Sequence, residues 1–244
     1  MSGVPVLLTG GTGRLGRELR ALLPEIVAPA RTELDLSRLD TIQQALERYA
    51  PKTVVHAAAY TDVTGAELDR AGCWSTNVGG TRNLVRAIGS RDILLIHIST
   101  DYVFAGTEGG YREDDPPGPP RNYYALSKLA AEEVARCVER HLIVRTSFRP
   151  RSWPYDKAFT DVFTSQDYVD VIAPEVALAI CRAAEIPWGT VHIGTERKSV
   201  FELARRRRPD VEAASKRDVA VDLPDDVSLD TSRWSELKRQ WGCL

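Results

Sequence analysis

Short apolar runs alternate with longer amphipathic stretches along most of the chain. The apolar runs predict buried strands at 4–9, 25–28, 53–58, 93–98, 142–146 and 169–172. Apolar residues at helical spacing predict helices at 14–23, 38–50, 123–140 and 174–185, and a long helical region broken near Gly72 that runs through 83–88. Pro174 suits the first turn of its helix, where its missing N–H leaves no hydrogen bond unmade.

Strands that are apolar throughout and alternate with helices are typical of a parallel sheet covered on both faces. The pattern therefore predicts a doubly wound α/β domain that binds its ligand at the carboxyl ends of the strands. The proline-rich stretch 115–120 is interpreted as a loop, because strands resume after it. Beyond about Trp153 the pattern becomes less regular.

A glycine-rich segment follows the first predicted strand and opens the first predicted helix. It fits GxGxxG or GxxGxxG, depending on the frame. Such glycines let the backbone approach a pyrophosphate, whose charge meets the free N–H groups of a helix N-terminus. A tight strand-to-helix turn is the alternative, but the position in a first βα unit favours dinucleotide binding. The candidate contacts are Gly10, Thr12, Gly13, Arg14, Leu15 and Gly16.

The choice of dinucleotide depends on the residues after the second predicted strand. A carboxylate about 20 residues past the glycines would hold a ribose 2′-hydroxyl, and Glu33 is the nearest candidate. Arg14 and Arg31 could instead meet a 2′-phosphate. We therefore expect NADP(H) as the cofactor, with NAD left open.

Tyr124 and Lys128 form a YxxxK pair whose spacing places both side chains on one helix face. A neighbouring ammonium would lower the pKa of the phenol from about 10 toward neutrality, so that Tyr124 could exchange a proton with a carbonyl or alcohol oxygen. Thr100 follows the strongest predicted strand and would lie at its carboxyl end. A solvated helix and a strand-end turn are the alternatives, but the coincidence with the glycine loop favours catalysis.

The composition narrows the class of protein. The chain has 244 residues, 43% of them hydrophobic, and a net charge of −2, which excludes global disorder and argues against a nucleic-acid binder. No apolar run approaches the ~20 residues of a membrane span, and no signal peptide is expected. The four cysteines form no CxxC pair, so we expect a cytoplasmic protein without a metal site. The arginine run 205–208 is interpreted as a solvated helix end.

Seven segments form a recognisable set in a fixed order. They are LLTGGTGRLGREL (7–19), TELDLS (32–37), HAAAYT (56–61), NVGGTRNL (77–84), STDYVFAG (99–106), YYALSKLAAEE (123–133) and VRTS (144–147). Together they resemble the extended short-chain dehydrogenase/reductases, most closely the dTDP-4-dehydrorhamnose reductase family. The resemblance implies a Rossmann-type fold with a cofactor domain at 1–146 and a small C-terminal substrate cap at 147–244. It also implies NAD(P)H-dependent reduction of a keto sugar nucleotide or a related carbonyl compound.

The same resemblance implies individual roles. Thr100 would hydrogen-bond the substrate oxygen, Tyr124 would donate the proton, and Lys128 would also hold the nicotinamide ribose. Asn77 would fix its helix against the sheet rather than touch a ligand. The remaining implied contacts are Asp35 and Leu36 at the adenine, Ala57, Ala58 and Ala59 along the cofactor, and Thr61, Asp101, Tyr102 and Phe148 at the substrate.

The family pattern weakens after Ser147, where the segment that would cradle a nucleotide sugar is abbreviated. Two interpretations are open for Arg149, Arg151 and Trp153. They replace the missing segment by contacting an anion or stacking on the ligand, or they are ordinary loop residues. Tyr102 stands where dehydratases of the superfamily have Glu, which favours reduction over elimination. Three hypotheses stay open: an NADP(H)-dependent reductase of a 4-keto sugar nucleotide or a smaller carbonyl compound, a cofactor-binding regulatory protein, and a sugar-nucleotide epimerase. A homodimer is left open.

Overall fold

A parallel sheet lies at the centre of the molecule. The structure, a computed structural model, describes residues 5–187, 189–219 and 223–243. Its strands are β1 (Val6–Thr9), β2 (Thr53–His56), β3 (Leu94–Ser99), β4 (His141–Thr146), β5 (Phe148–Arg149), β6 (Lys157–Phe159), β7 (Phe163–Thr164), β8 (Asp167–Tyr168), β9 (Gly189–Ile193), β10 (Lys198–Ser199) and β11 (Glu212–Ala214). Its α-helices are α1 (Arg14–Leu22), α2 (Leu39–Tyr49), α3 (Val63–Leu68), α4 (Arg70–Trp74), α5 (Gly80–Ile88), α6 (Tyr123–Ala135), α7 (Val169–Cys181), α8 (Val200–Arg205) and α9 (Ser232–Gln240).

The order of the strands creates a crevice at the end of β1. In the described residues the main sheet runs β1-β2-β3-β4-β9, with every neighbouring pair parallel. On the free side of β1, Val27 makes a single parallel bridge to Leu7. After α1 the chain runs beside β1 at Val27. It then crosses through α2 to form β2 on the opposite side of β1. Ligands of such sheets bind where the connections diverge in this way.

The predicted strand at 25–28 is reduced to that one bridge. Leu8 N donates to Val27 O at 2.8 Å, and Val27 N donates to Val6 O at 2.9 Å. Pro29 follows and has no N–H with which to extend the ladder. The pairing therefore stops after one residue.

Helices cover both faces of the sheet. Neighbouring residues of a strand point to opposite faces, so Leu7 and Leu8 belong to two separate apolar clusters. One cluster joins the sheet to α1, α7 and α9, and the other joins it to α2, α5 and α6. We call these strands and helices the sheet core. The predicted α/β fold with a doubly wound parallel sheet is confirmed.

The predicted strand at 169–172 is wrong, because these residues form the first turn of α7. Val169, Ile172, Ala173 and Val176 are all buried, and their spacing is that of one helix face. Pro174 therefore lies inside this helix rather than at its start. A run of four mostly apolar residues fits a buried strand and a buried helix equally well.

Strands of two or three residues build a smaller region that we call the cap (147–168, 194–219 and 223–230). Its ladders pair β5 with β8, β7 with β10 and β6 with β11. No helix occurs among the residues described between β4 and α7. The predicted helix end at the arginine run is confirmed, since α8 ends at Arg205 and each of the next three arginines pairs with a carboxylate.

Candidate active site

The glycine loop leaves no room for side chains at two positions. Gly10 has a φ of +75°, and a Cβ there would lie 2.7 Å from Ala58 N. A Cβ on Gly16, in the first turn of α1, would lie 2.2 Å from Gly10 O. Both contacts are with backbone atoms, so substitution requires the loop itself to move. The loop therefore holds the N-terminus of α1 close to the ends of β1 and β2.

A cavity of about 1080 Å³ opens beside this loop. It extends from the glycine loop across the carboxyl ends of the central strands to the cap. All the candidate cofactor contacts and all but one of the candidate substrate contacts line it: Gly10, Thr12, Gly13, Arg14, Leu15, Gly16, Arg31, Asp35, Leu36, Ala57, Ala58, Ala59, Thr61, Tyr102 and Phe148. Thr100, Tyr124 and Lys128 also line it.

One end of the cavity is rich in arginine. Arg14, Arg20 and Arg31 all line the cavity there. Glu33, the nearest candidate for a ribose carboxylate, instead accepts hydrogen bonds from Arg48 at 2.5 Å and from the hydroxyl of Tyr49 at 2.6 Å. The acceptor capacity of Glu33 is therefore used within the protein, and the cations stay available to a phosphate.

The middle of the cavity holds the three candidate catalytic groups. Thr100 directly follows β3, and Tyr124 and Lys128 lie one turn apart on α6, as predicted. The ammonium of Lys128 donates to Ile98 O at 2.8 Å and lies 3.4 Å from His97 Nε2. All three side chains are buried from bulk water.

The electrostatics of Tyr124 differ from the sequence-based expectation. Burial and the neighbouring carboxyl of Asp101 raise the pKa of Tyr124 above its ordinary value, although the Thr100 hydroxyl opposes this shift. Burial also lowers the pKa of Lys128 to about 8. The expected lowering of the Tyr124 pKa rested on the lysine alone, whereas desolvation of the phenol is the largest effect in the folded protein.

Asp101 also differs from its expected position. Its side chain lies behind Thr100, whose hydroxyl donates to Asp101 Oδ1 at 3.0 Å, and it does not line the cavity. Burial raises its pKa to about 6, while hydrogen bonds from Thr100 and Ser147 and the charge of Arg149 oppose the rise. Asp101 therefore supports Thr100 from within the protein instead of facing the substrate.

Asn77 acts as a clamp between two elements of the site. Its side chain accepts from Tyr60 N at 2.7 Å and donates to the Ser127 hydroxyl at 2.9 Å. This arrangement joins the segment after β2 to α6, and Asn77 is absent from the residues that line the cavity. The structure thus agrees with the interpretation of Asn77 as a packing residue.

The cap closes the other end of the cavity. Arg149, Tyr155 and Gln166 line this end, and none of them belongs to a motif. The guanidinium of Arg149 lies over the ring of Trp153, 5.3 Å from its centroid, and its buried Nε has no hydrogen-bond partner in the part of the chain that the structure describes. Arg151, two residues later, is instead held by Glu18 of α1 through two bonds of 2.8 and 2.7 Å.

Two further hydroxyls were missed by the sequence analysis. Ser99 and Thr146 end β3 and β4 and line the cavity, and their buried oxygens have no hydrogen-bond partner among the described residues. Buried polar atoms without partners are rare in native proteins. Their positions at strand ends beside the glycine loop fit a polar ligand such as the nicotinamide half of a dinucleotide, and the strand-end position was the available signal.

Two kinds of feature are absent from the described residues. They contain no group of three or more His, Cys, Asp and Glu side chains placed to hold a metal ion. They also contain no helix that is long and apolar enough to cross a membrane.

Comparison with known sequences points to one family. Residues 4–173 match the family model described as RmlD substrate binding domain. The chain is 32% identical over 180 residues to a dTDP-4-dehydrorhamnose reductase of Aggregatibacter actinomycetemcomitans, covering 70% of this chain and 61% of that protein. It is 36% identical over 194 residues to the enzyme of the same name from Burkholderia thailandensis, covering 77% and 64%. The chain spans about half to two thirds of the length of the curated relatives it matches.

Solved structures extend the likeness over the cap. A dTDP-4-dehydrorhamnose reductase from Bacillus anthracis in complex with NADP superposes with a TM-score of 0.84 at 27% identity, covering all of this chain and 94% of that one. A hypothetical dTDP-4-dehydrorhamnose reductase from Sulfolobus tokodaii gives 0.82 at 31% identity, covering 96% and 94%. A UDP-glucose 4-epimerase from Brucella ovis gives 0.75 at only 19% identity, a likeness of fold alone.

Proposed function

The chain belongs to the RmlD substrate binding domain family, and from this membership we propose that it is an NADPH-dependent reductase of a keto sugar nucleotide. The observation that carries the proposal is the convergence of the glycine loop with Thr100, Tyr124 and Lys128 on one cavity. A relative that matches nearly its whole length is a dTDP-4-dehydrorhamnose reductase bound to NADP. A dTDP-linked 4-keto sugar is therefore the first substrate to test.

The cofactor would lie along the carboxyl ends of the strands. The loop from Gly10 to Gly16 would hold the pyrophosphate against the N-terminus of α1, and Arg14 and Arg31 would meet the 2′-phosphate. Ser99 and Thr146 offer free hydroxyls at the nicotinamide end. When bound there, NADPH supplies the hydride that reduces a carbonyl carbon.

The protein's own groups manage the proton. Tyr124 passes the proton of its hydroxyl to the carbonyl oxygen as that oxygen becomes an alcohol. Thr100 turns its single O–H from Asp101 Oδ1 to donate a hydrogen bond to the same oxygen. The phenolate left on Tyr124 is costly in a buried site, because burial already raises the pKa of this phenol. The ammonium of Lys128 offsets that cost, and the phenolate regains its proton from water after the product has left.

The substrate would occupy the end of the cavity formed by the cap. Thr61, Tyr102 and Phe148 line it together with Arg149, whose charge suits a phosphate of the nucleotide. The division at residue 146 into a cofactor domain and a substrate domain is part of this proposal. A homodimer and a cytoplasmic location stay predictions from the sequence.

The test is replacement of the phenol that donates the proton. Tyr124→Phe should lower the steady-state rate of NADPH oxidation with a dTDP-4-keto-6-deoxy sugar by about 10²- to 10⁴-fold, while NADPH still binds. Tyr123→Phe is the matched control, since Tyr123 has Ser127 rather than a lysine four residues on. Cofactor binding is followed by fluorescence titration.

Three outcomes separate the competing functions. Full turnover by Tyr124→Phe contradicts the mechanism. A parent protein that binds NADPH tightly but oxidises it with no keto sugar nucleotide or simple ketone is a regulatory protein. A parent that inverts a sugar centre and returns its cofactor unchanged is an epimerase.

A further inference from the structure

A buried histidine lies directly beneath Lys128. His97 is on β3, one residue before Ile98, and it is 1% exposed. Lys128 Nζ lies 3.4 Å from His97 Nε2 and 2.8 Å from Ile98 O. An ammonium group has three N–H donors and no acceptor, so an imidazole nitrogen facing it must accept. Two of the three donors of Lys128 are thereby directed into the protein.

The ring of His97 is held in place by a second histidine. His56 of β2 lies 5.2 Å away between ring centroids. His56 is itself fixed by the hydroxyls of Thr9 at 2.8 Å and Thr81 at 3.0 Å. His97 Nδ1, by contrast, is buried without a partner. Among the described residues, the ring of His97 therefore has one hydrogen-bonding contact, which is with Lys128.

We propose that His97 is a positioning residue for Lys128: its Nε2 holds the ammonium in the orientation that serves Tyr124 and keeps that ammonium protonated. This role rests on the proposed function, because it assigns His97 to the proton chemistry of the same site. It requires a neutral imidazole with its proton on Nδ1. Burial and the charge of Lys128 keep the pKa of His97 well below its ordinary value, which is consistent with that state.

The hydrogen bond to His97 Nε2 matters because few other groups near Lys128 stabilise its buried positive charge. Burial lowers the pKa of Lys128 to about 8, and Glu132 and Cys73 oppose that effect. A hydrogen bond to the charged form of a buried group favours that form. The titratable groups around the lysine are His97 on β3, His56 on β2, Cys73 on α4, Tyr124 and Glu132 on its own helix, and Asp101 after β3.

Removal of the acceptor should make Lys128 lose its proton at lower pH. His97→Leu leaves one carbonyl for the buried ammonium, and we expect its pKa to fall by about one unit or more. Since the charged lysine supports proton donation by Tyr124, the high-pH limit of kcat should move down by the same amount. His97→Gln supplies an amide oxygen in place of Nε2 and should restore both values. His56→Gln, which changes the neighbouring ring without contacting Lys128, is the matched control.

The experiment is a pH titration of lysine side-chain ¹⁵N NMR signals in the full chain without cofactor. The chain has six lysines, namely Lys52, Lys128, Lys157, Lys198, Lys216 and Lys238. Lys198 is also buried, in the cap, and burial lowers its pKa as well, so it serves as an internal reference that should not shift. The kcat profile is the second measurement.

An unchanged Lys128 titration in folded His97→Leu would overturn the proposal, and so would an equal shift in His97→Leu and His97→Gln. If His97→Leu does not fold, His97→Met and His97→Gln give the same comparison, because they fill similar volumes and only the amide oxygen is a strong acceptor. The titration needs no substrate. It therefore reports on His97 even if the reductase assignment fails, whereas Tyr124→Phe tests that assignment alone.

Discussion

The sheet core and the cap reach the same cavity by different means. The core contributes strands of four to six residues whose side chains belong to two large apolar clusters. The cap contributes strands of two or three residues, a smaller apolar cluster around Trp153, and many ion pairs between its segments. Regular packing fixes backbone positions closely, whereas charged side chains place groups with less rigidity. The core thus suits the part of a site that must not vary, and the cap suits the part that selects a ligand.

The largest effect should come from Gly16→Ala in the core. The new Cβ would lie 2.2 Å from Gly10 O, so the loop must move before a pyrophosphate can be held. Overpacking of this kind costs about 1–3 kcal/mol, and we expect NADPH affinity to fall by about 100-fold in a fluorescence titration. Gly79→Ala is the control, because a Cβ there meets nothing closer than 3.9 Å. Equal affinities for the two variants would show that the loop is not a close-packed cradle.

A second contrast concerns a buried carboxylate, Asp101, and a half-buried one, Asp161. Burial raises the pKa of Asp101 to about 6, so the folded protein holds this proton more tightly than the unfolded chain does. The contribution of Asp101 to the free energy of unfolding should therefore fall as pH rises from about 4 to about 6, by up to about 3 kcal/mol. Asp101→Asn should lose that slope in urea unfolding curves measured across this range.

Asp161 in the cap should behave in the opposite sense. Hydrogen bonds from Ser215 and Lys216 lower its pKa, so its contribution is present at neutral pH and is lost as pH falls through the folded pKa. Asp161→Asn should be less stable than the parent at neutral pH and approach it in acid. If the free energy of unfolding had the same pH dependence in the parent and in both variants, the proposed difference between the two carboxylates would be contradicted.

The smallest effect should separate two arginines of the cap. Arg149 lines the cavity with its Nε unpartnered, while Arg151 is held by Glu18 on the outside. Arg149→Gln should raise KM for the nucleotide sugar by about tenfold, which is the loss of one charge-assisted hydrogen bond. Arg151→Gln should leave KM close to the parent value. If Arg151→Gln changed KM more than Arg149→Gln does, Arg151 rather than Arg149 would be the residue that contacts the anion.

Sequence patterns predicted the glycine loop and the helix of Tyr124 and Lys128 well because their signals are local. The glycine loop lies between a strand and a helix that are adjacent along the chain, and Tyr124 and Lys128 lie one turn apart. Such spacings determine geometry with little help from the rest of the fold. The β1–α1 unit and the YxxxK helix therefore follow from the sequence pattern alone.

Features that depend on distant parts of the chain were not predictable in this way. The short strands of the cap carry no periodicity, so the sequence gives no signal that Tyr155 and Gln166 line the cavity, and it does not distinguish Arg149 from Arg151 as an anion contact. Asp101 turns away from the cavity because of its bond with Thr100, and the pKa of Tyr124 depends on burial by elements far apart in sequence. The sequence pattern of His97 is that of an ordinary strand residue, and its contact with Lys128 arises only because α6 packs against β3.

The position of α9 has a consequence for synthesis of the chain. Trp234 of α9 packs in the same cluster as Leu15 and Leu19 of α1, and β9 pairs with the outer edge of β4. The apolar face of α1, the helix that follows the glycine loop, is therefore covered only when residues some two hundred positions later have folded against it. During translation that face would stay open until about residue 241 has left the ribosome. A nascent chain that ends after β4 would expose an unpaired strand and an apolar helix face, which are features that chaperones recognise.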